Sequence, residues 1–165
     1  MNLPNISVIT PVYNGEKTIS KCLESIRNQD YPQDKIEIVL VDDDSIDNTL
    51  KIAKKFNVRV IRNGNRSFDI GKSLGIQNAQ NEFLLFIDAD NILPNESWIK
   101  KAVTSLIENK DAVGAEPIWF NYNKQDPIAN RYCSLYGIND PMAFYLKKRD
   151  RLMQTEEKWN LIKNK

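Results

Sequence analysis

The chain has 165 residues, 41% hydrophobic and 27% charged, with a net charge of +1. That is one domain's length, enough to bury a core, and the near-neutral balance excludes a chain built as a whole to bind nucleic acid. It has no histidine, and its two cysteines, Cys22 and Cys133, form no CxxC; this excludes a Ser-His-Asp triad, a Cys-His pair, a His-ligated zinc and a zinc knuckle.

Ile6 to Thr10 is a short β-branched apolar run closed by Pro11, and it reads as a buried strand. Tyr13-Asn14-Gly15 is a turn. Ile19, Cys22, Leu23 and Ile26 then fall at helical spacing, with Glu16 placed in the first turn. Asp30-Tyr31-Pro32 ends that helix. Ile36 to Val41 is a second strand, stopping in Asp42-Asp43-Asp44-Ser45. Asp47 or Asn48 caps a helix carrying Leu50, Ala53 and Phe56. Val58 to Ile61 is a third strand, and Asn63 to Phe68 a polar loop. A helix from about Ile70 to Ala79 places Ile70, Leu74, Ile76 and Ala79 at its apolar positions. Phe83 to Ile87 is a fourth strand, stopping in Asp88-Ala89-Asp90. Ser97 caps a helix whose apolar face is Ile99, Ala102, Val103, Leu106 and Ile107. Ala112 to Glu116 is a fifth strand.

The alternation of strand and helix to about residue 116 predicts an α/β fold. Strands that are continuously apolar predict a mostly parallel central sheet with helices on both faces. Such sheets bind ligands beyond the carboxyl ends of their strands. The distinctive ends are Pro11-Val12-Tyr13-Asn14, Asp42-Asp43-Asp44-Ser45 and Asp88-Ala89-Asp90. Beyond Pro117 the pattern gives way to aromatic and polar residues, so the chain divides at about 120. Residues 145–165 hold seven Lys/Arg against three acids. Lys147-Lys148-Arg149-Asp150-Arg151 with Trp159, Leu161 and Ile162 reads either as a peripheral contact with an anionic membrane or as a solvated helix end. Met142 to Leu146 reads as a core or homo-oligomer contact. No run reaches the roughly 18 apolar residues of a spanning helix. Met1 to Asn5 lacks a signal-peptide core. The expected location is therefore cytoplasmic, with a peripheral position at the inner membrane face as its variant, and the thiols are expected reduced.

Three consecutive aspartates cannot share one direction, so Asp42, Asp43 and Asp44 read as one ligand-facing carboxylate among turn-formers, or as turn-formers only. Asp88 and Asp90, after a very apolar strand, offer hard oxygen ligands suited to Mg2+ or Mn2+, or form a polar turn. No G-x-G-x-x-G follows the first strand and no Walker A loop is present, which disfavours a dinucleotide site and excludes a P-loop NTPase. A sugar-phosphate nucleotidyltransferase would need a Gly-rich loop where Tyr13-Asn14-Gly15 stands.

The stretches Ile6–Gly15, Val39–Thr49, Gly71–Ile76 and Asn81–Asn91, in this order and spacing, resemble the family 2 inverting glycosyltransferases. The resemblance covers residues 5 to about 120. It implies a Rossmann-like GT-A sandwich and a nucleotide-diphospho-sugar donor of UDP or GDP type. It also implies a saccharide or lipid-linked acceptor and a divalent cofactor, Mg2+ or Mn2+. By the same resemblance Pro11 and Tyr13 pack around the nucleobase and Asp43 reads it. Asp88 lies near the ribose and, with Asp90, forms the metal-binding DxD pair. Lys72 stands where the family often has arginine, and Lys lacks Arg's bidentate fork. Asp44 replaces the usual glycine of the DDGS motif; Asp tolerates a positive φ better than most residues, though not as freely as Gly. Ser73 replaces a common asparagine. The late acids are Glu116, Asp126, Asp140, Asp150, Glu156 and Glu157. None matches the family's base motif, so no catalytic base is assigned. The alternative reading is a truncated or non-catalytic nucleotide-sugar-binding module that lacks the base.

Overall fold

The computed structural model describes residues 2–65, 67–117, 124, 125, 128 and 159–163. Two compact units are present, Met1–Val103 and Thr104–Lys165. In the first, β1 (Ile6–Val12), β2 (Ile36–Asp42), β3 (Arg59–Arg62) and β4 (Phe83–Phe86) form one sheet in the order β3-β2-β1-β4. Every pairing is parallel, with Ile6 opposite both Ile36 and Phe83. The two central strands are the ones without polar alternation. All seven residues of β1 are buried, and six of seven in β2, because helices cover both faces of an inner parallel strand.

The side chains of β1 alternate between those faces. Ile9 and Pro11 lie against Gly75 and Gly71 of α3 (Phe68–Asn78). Val12 lies against Gly15, beside Ile19 at the start of α1 (Ile19–Arg27). The α1 residues Ile19, Cys22, Leu23 and Ile26 are fully buried, as their spacing predicts. On the α3 face, Ile9, Val39 and Val41 form a core joined by Ile61, Leu74, Ala79 and Leu84. Each fully buried Ile, Leu or Val contributes roughly 1.5–3 kcal/mol.

Helix α3 departs from its predicted face. Ile70 and Ile76 are 42% and 48% exposed. The positions turned to the sheet are Gly71, Leu74 and Gly75, at i, i+3 and i+4. Leu74 and the glycines, not the isoleucines, mark the packed side, and the approach is closest at Gly75, where a Cβ would run into Ile9, whereas at Gly71 it would meet Pro11 at ordinary contact distance.

Between β2 and β3, α2 (Thr49–Ala53) continues as one tight turn to Phe56. Of its two candidate caps, Asp47 acts: its Oδ1 accepts from the Thr49 amide at 3.0 Å. α4 (Trp98–Glu108) buries Ile99 and Val103. Gln29 Oε1 accepts from the Ile99 amide at 2.9 Å, so a distant side chain satisfies a donor expected to meet Ser97. Ser97 instead donates through its amide and hydroxyl to Asn95 Oδ1.

In the second unit β5 (Ala112–Pro117) pairs antiparallel with β6 (Trp159–Lys163), Pro117 opposite Trp159. The expected fifth strand is thus present, but its partner is antiparallel. Residues 159–163 are a strand, which corrects the reading of that segment as a helix end; Trp and Ile favour strands once a partner edge is available. Lys147–Arg151 and Met142–Leu146 lie outside the described residues, as do Cys133 and the late acids from Asp126 to Glu157. No helix among the described residues is long and apolar enough to cross a membrane.

The amino-terminal end of the sheet is closed by a polar network. Glu37 accepts from the Ser7 hydroxyl at 2.5 Å, the Gln80 amide at 3.0 Å and the Arg59 guanidinium at 2.6 Å. Burial works to raise the Glu37 pKa, but the bonds from Ser7, Gln80 and Arg59 hold it below its ordinary 4.5. A depressed carboxyl stabilises the fold above its ordinary value, and that contribution fades as pH falls through the folded value. Unfolding free energy is therefore expected to decline with acidity from about pH 5 downward. Glu37→Gln is expected to flatten that slope in chemical denaturation at stepped pH; an unchanged slope removes Glu37 as its source.

Candidate functional site

The opposite end of the sheet is open, and three loops meet there. The first follows β1. Val12 O accepts the Asp43 amide at 2.9 Å, which carries the β1–β2 ladder one residue past β2. Tyr13 is then 40% exposed, and Asn14 turns the chain with φ of 49°.

The second loop follows β2, and its three aspartates separate as their succession requires. Asp42 is buried, and both its carboxylate oxygens accept from the Ser45 amide at 3.3 Å. Asp43 is 2% exposed, and its Oδ1 accepts from Asn63 Nδ2. Burial pushes the Asp43 carboxyl up; the Asn63 bond opposes this, and the charges of Asp42 and Asp44 add to it. Asp44 has φ of 61°, a left-handed conformation that Asp tolerates better than most residues.

The third loop follows β4. The Ile87 amide donates to Ile9 O at 3.1 Å, and Asp88-Ala89-Asp90 then leave the sheet. The Asp88 carbonyl accepts from the Asn91 amide at 2.9 Å and from the Cys22 thiol at 3.7 Å, which ties the turn to α1. Lys72 of α3 lies 3.6 Å from Asp88 Oδ1, both side chains partly exposed. Burial, then the charges of Asp90 and Asp88, push the Cys22 thiol up to about 12. It stays protonated and is no nucleophile.

A pocket of about 330 Å³ results, lined among others by Pro11, Tyr13, Lys72, Asp88 and Asp90. Five of the six residues singled out in the sequence thus share one cavity. Asp43 is not in its lining; it stands one residue past β2 and bonded to Asn63. Asn63 itself is a centre that its polar loop did not announce. It is 1% exposed; its amide donates to Asp42 O at 2.8 Å and its side chain to Asp43 and to Ser67 O.

The donor set fits a hard divalent ion in one respect. Asp88 and Asp90 both open to the pocket, and among the described residues no third Asp, Glu, Cys or His joins them. Mg2+ and Mn2+ commonly take one or two carboxylates and fill the other positions with water and substrate phosphates. Two carboxylates at an open rim suit that use and not a closed structural cage.

The family model for glycosyl transferase family 2 matches residues 7–160. This chain belongs to that family. Glycosyltransferase AglE of Haloferax volcanii is 32% identical over 155 residues, covering 90% of this chain and 50% of its own length. The crystal structure of Staphylococcus aureus TarS 1-349 superposes with a TM-score of 0.65 at 30% identity, over 75% of this chain and 38% of that one. The same enzyme is known with UDP and with UDP-GlcNAc. Mannosyltransferase PcManGT from Pyrobaculum calidifontis, in complex with GDP-Man and Mn2+, superposes at 0.65 with 26% identity, over 82% of this chain and 39% of that one. The family 2 chain described here therefore spans half or less of these relatives' lengths. Its parallel sheet with flanking helices is the GT-A arrangement of those neighbours.

Proposed function

We propose that the chain binds a nucleotide-diphospho-sugar, UDP- or GDP-linked, and presents the sugar for transfer to an acceptor hydroxyl with inversion. The supporting observation is the single pocket that gathers Tyr13, Lys72, Asp88 and Asp90 at the carboxyl ends of β1 and β4. The nucleotide and nucleotide-sugar complexes of its structural neighbours agree with that ligand class. In this reading Pro11 and Tyr13 pack on the base, where an aromatic face stacks well. Asp43 accepts a base N–H, with Asn63 holding its carboxylate. Asp88 serves the ribose side, and Asp88 and Asp90 hold Mg2+ or Mn2+. When bound, the ion supplies Lewis-acid stabilisation of the charge that grows on the leaving diphosphate. Lys72 adds a fixed cation against the same charge. Inversion requires a base on the acceptor's side to take its proton during in-line attack. The acceptor is a saccharide or a lipid-linked saccharide.

Titration calorimetry of the chain with UDP and with GDP, each with and without Mn2+, tests the reading. Metal-dependent binding of one of them is expected; none with either overturns it. Asp43→Ala is expected to weaken the nucleoside diphosphate roughly 10- to 100-fold, the worth of a hydrogen bond to a charged group. Inorganic diphosphate with Mn2+ should bind as before. An equal loss on both ligands removes Asp43 from the base.

A second reading is donor binding without transfer. Among the described residues the pocket's carboxylates are Asp88 and Asp90 alone, both assigned to the donor side. Turnover of a bound donor in the presence of acceptor sugars decides between the two.

A further inference from the structure

Beyond Val12 and Asp43 the main-chain ladder between β1 and β2 has ended, yet the two loops that follow do not separate. Side chains continue the pairing. The Asn14 amide donates to Ser45 Oγ at 2.9 Å, and the Ile46 amide donates to Asn14 Oδ1 at 2.9 Å. One step further, the Glu16 amide donates to Asp47 Oδ2 at 3.1 Å. Asn48 returns two bonds, from its amide and its side chain, to Glu16 Oε2, each at 3.1 Å. Four of these five bonds use a backbone N–H, so side-chain oxygens stand where strand carbonyls would. The pattern is reciprocal: each loop gives and receives in both rungs.

The same loops carry Tyr13, immediately before Asn14, and Asp43, two residues before Ser45. Both bend through left-handed residues, Asn14 at φ 49° and Asp44 at φ 61°. Neither is glycine, and such a backbone persists only where its surroundings determine it. Asp47 is fitted to the task. Burial works to raise its carboxyl, but bonds from Thr49 and from the Glu16 amide hold it below its ordinary range, so it stays an acceptor at neutral pH.

We infer that Asn14, Glu16, Ser45 and Asp47 are positioning residues, a two-rung side-chain clamp that sets the base-contacting loops against each other before donor arrives. The inference rests on the nucleotide-sugar reading above and extends it to Asn14, which itself lines the pocket, and to Glu16, Ser45 and Asp47, which do not. A preorganised wall matters because affinity is lost when loops must be ordered on binding.

The test uses the full chain, Mn2+, and whichever of UDP or GDP the wild type binds, with inorganic diphosphate as a probe that has no base. Asn14→Gly keeps the left-handed turn without strain and deletes only the side-chain amide. Ser45→Ala deletes the acceptor of the Asn14 backbone amide, the other bond of the same rung. Each is expected to weaken the nucleoside diphosphate about tenfold while inorganic diphosphate stays within about twofold. The two variants delete different bonds of the same rung, so the double variant is expected to lose less than the sum of the single ones if the rung acts as a unit. Glu16→Ala is expected to weaken binding as well, and Glu16→Gln, which keeps an acceptor for Asn48, to restore it. Unchanged nucleoside affinity, equal losses on both probes, or additive losses in the double variant overturn the clamp. A wild type that binds neither UDP nor GDP overturns the parent reading, and the clamp's role with it. A binding wild type with indifferent variants overturns the clamp alone.

Discussion

Asp90→Ala is expected to abolish metal-dependent donor binding while leaving metal-free binding intact or improved. Among the described residues the pocket holds two carboxylates, Asp88 and Asp90, against one lysine, Lys72, which is already drawn to Asp88. A diphosphate brought to this rim without a cation meets net repulsion. Asp88 and Asp90 would hold a divalent ion on the proposed reading, and its positive charge would reverse the sign. Removing Asp90 therefore has two opposed effects. If Asp90 holds the ion as proposed, its loss in Mn2+ removes a direct ligand, and affinity should fall by more than the roughly 100-fold that loss of a supporting contact brings. With chelator present one repelling charge is gone, and the weak residual affinity should hold or rise. Calorimetry in Mn2+ and in chelator reads both arms. A variant that keeps its Mn2+ response removes Asp90 from the metal. A variant that loses affinity equally in both conditions has lost the pocket's shape instead. Lys72→Ala is the informative contrast: it should weaken binding in both conditions, because its charge acts on the diphosphate whether or not the ion is there.

The elements that place these residues were open to inspection in the sequence. Three of the four parallel strands are dominated by apolar residues, β3 being a short Val60-Ile61 pair between arginines, and α1 shows a clean helical spacing. Both signals are local, and burial on two faces leaves no other arrangement for Ile6–Val12 or Ile36–Asp42. The polar strand ends stood out for the same reason: a carboxylate after a run such as Phe83–Phe86 marks where the sheet stops. What escaped were contacts between residues distant in the chain. Asn63 is one polar residue in a polar loop until the fold sets it against Asp43. Asn14 and Glu16 looked like turn and helix-start residues, yet their partners lie some thirty positions away, at Ser45 to Asn48. Gln29 reaches Ile99 across a still longer interval. The strand β6 needed β5 as a partner edge, which no window around Trp159 contains. At α3, Leu74 and Ala79 pack as their spacing predicts, but Ile70 and Ile76 misled, because the closest approach to the sheet is made at Gly75.

That close approach carries the largest expected effect on stability. A methyl group added at Gly75 would stand against Ile9 Cγ2, with Ile9 Cβ and Cγ1 only 3.4 Å away. Ile9 is fully buried and belongs to the core with Val39 and Val41, so it has no free volume into which to retreat. Alanine in place of a helical glycine ordinarily gains about 1 kcal/mol of helix propensity. Overpacking a filled core costs typically about 1–3 kcal/mol, so the sign at Gly75→Ala is set by steric conflict. Gly75→Val enlarges the conflict and adds a β-branched residue to a helix, and it should unfold the chain at markedly lower denaturant than Gly75→Ala. Because α3 also carries Lys72, a helix pushed off β1 moves that cation away from Asp88. Donor affinity should therefore fall even in the folded fraction of Gly75→Ala. The decisive control is Ile9→Ala in the Gly75→Ala background. Alone, Ile9→Ala opens a cavity and costs about 2–5 kcal/mol. Together the two should cost clearly less than their sum, since the new methyl fills the space the isoleucine leaves. Denaturant midpoints of the four chains measure this coupling. Strict additivity would mean that α3 has room to withdraw from β1, and that the glycine is not what holds the lysine at the pocket.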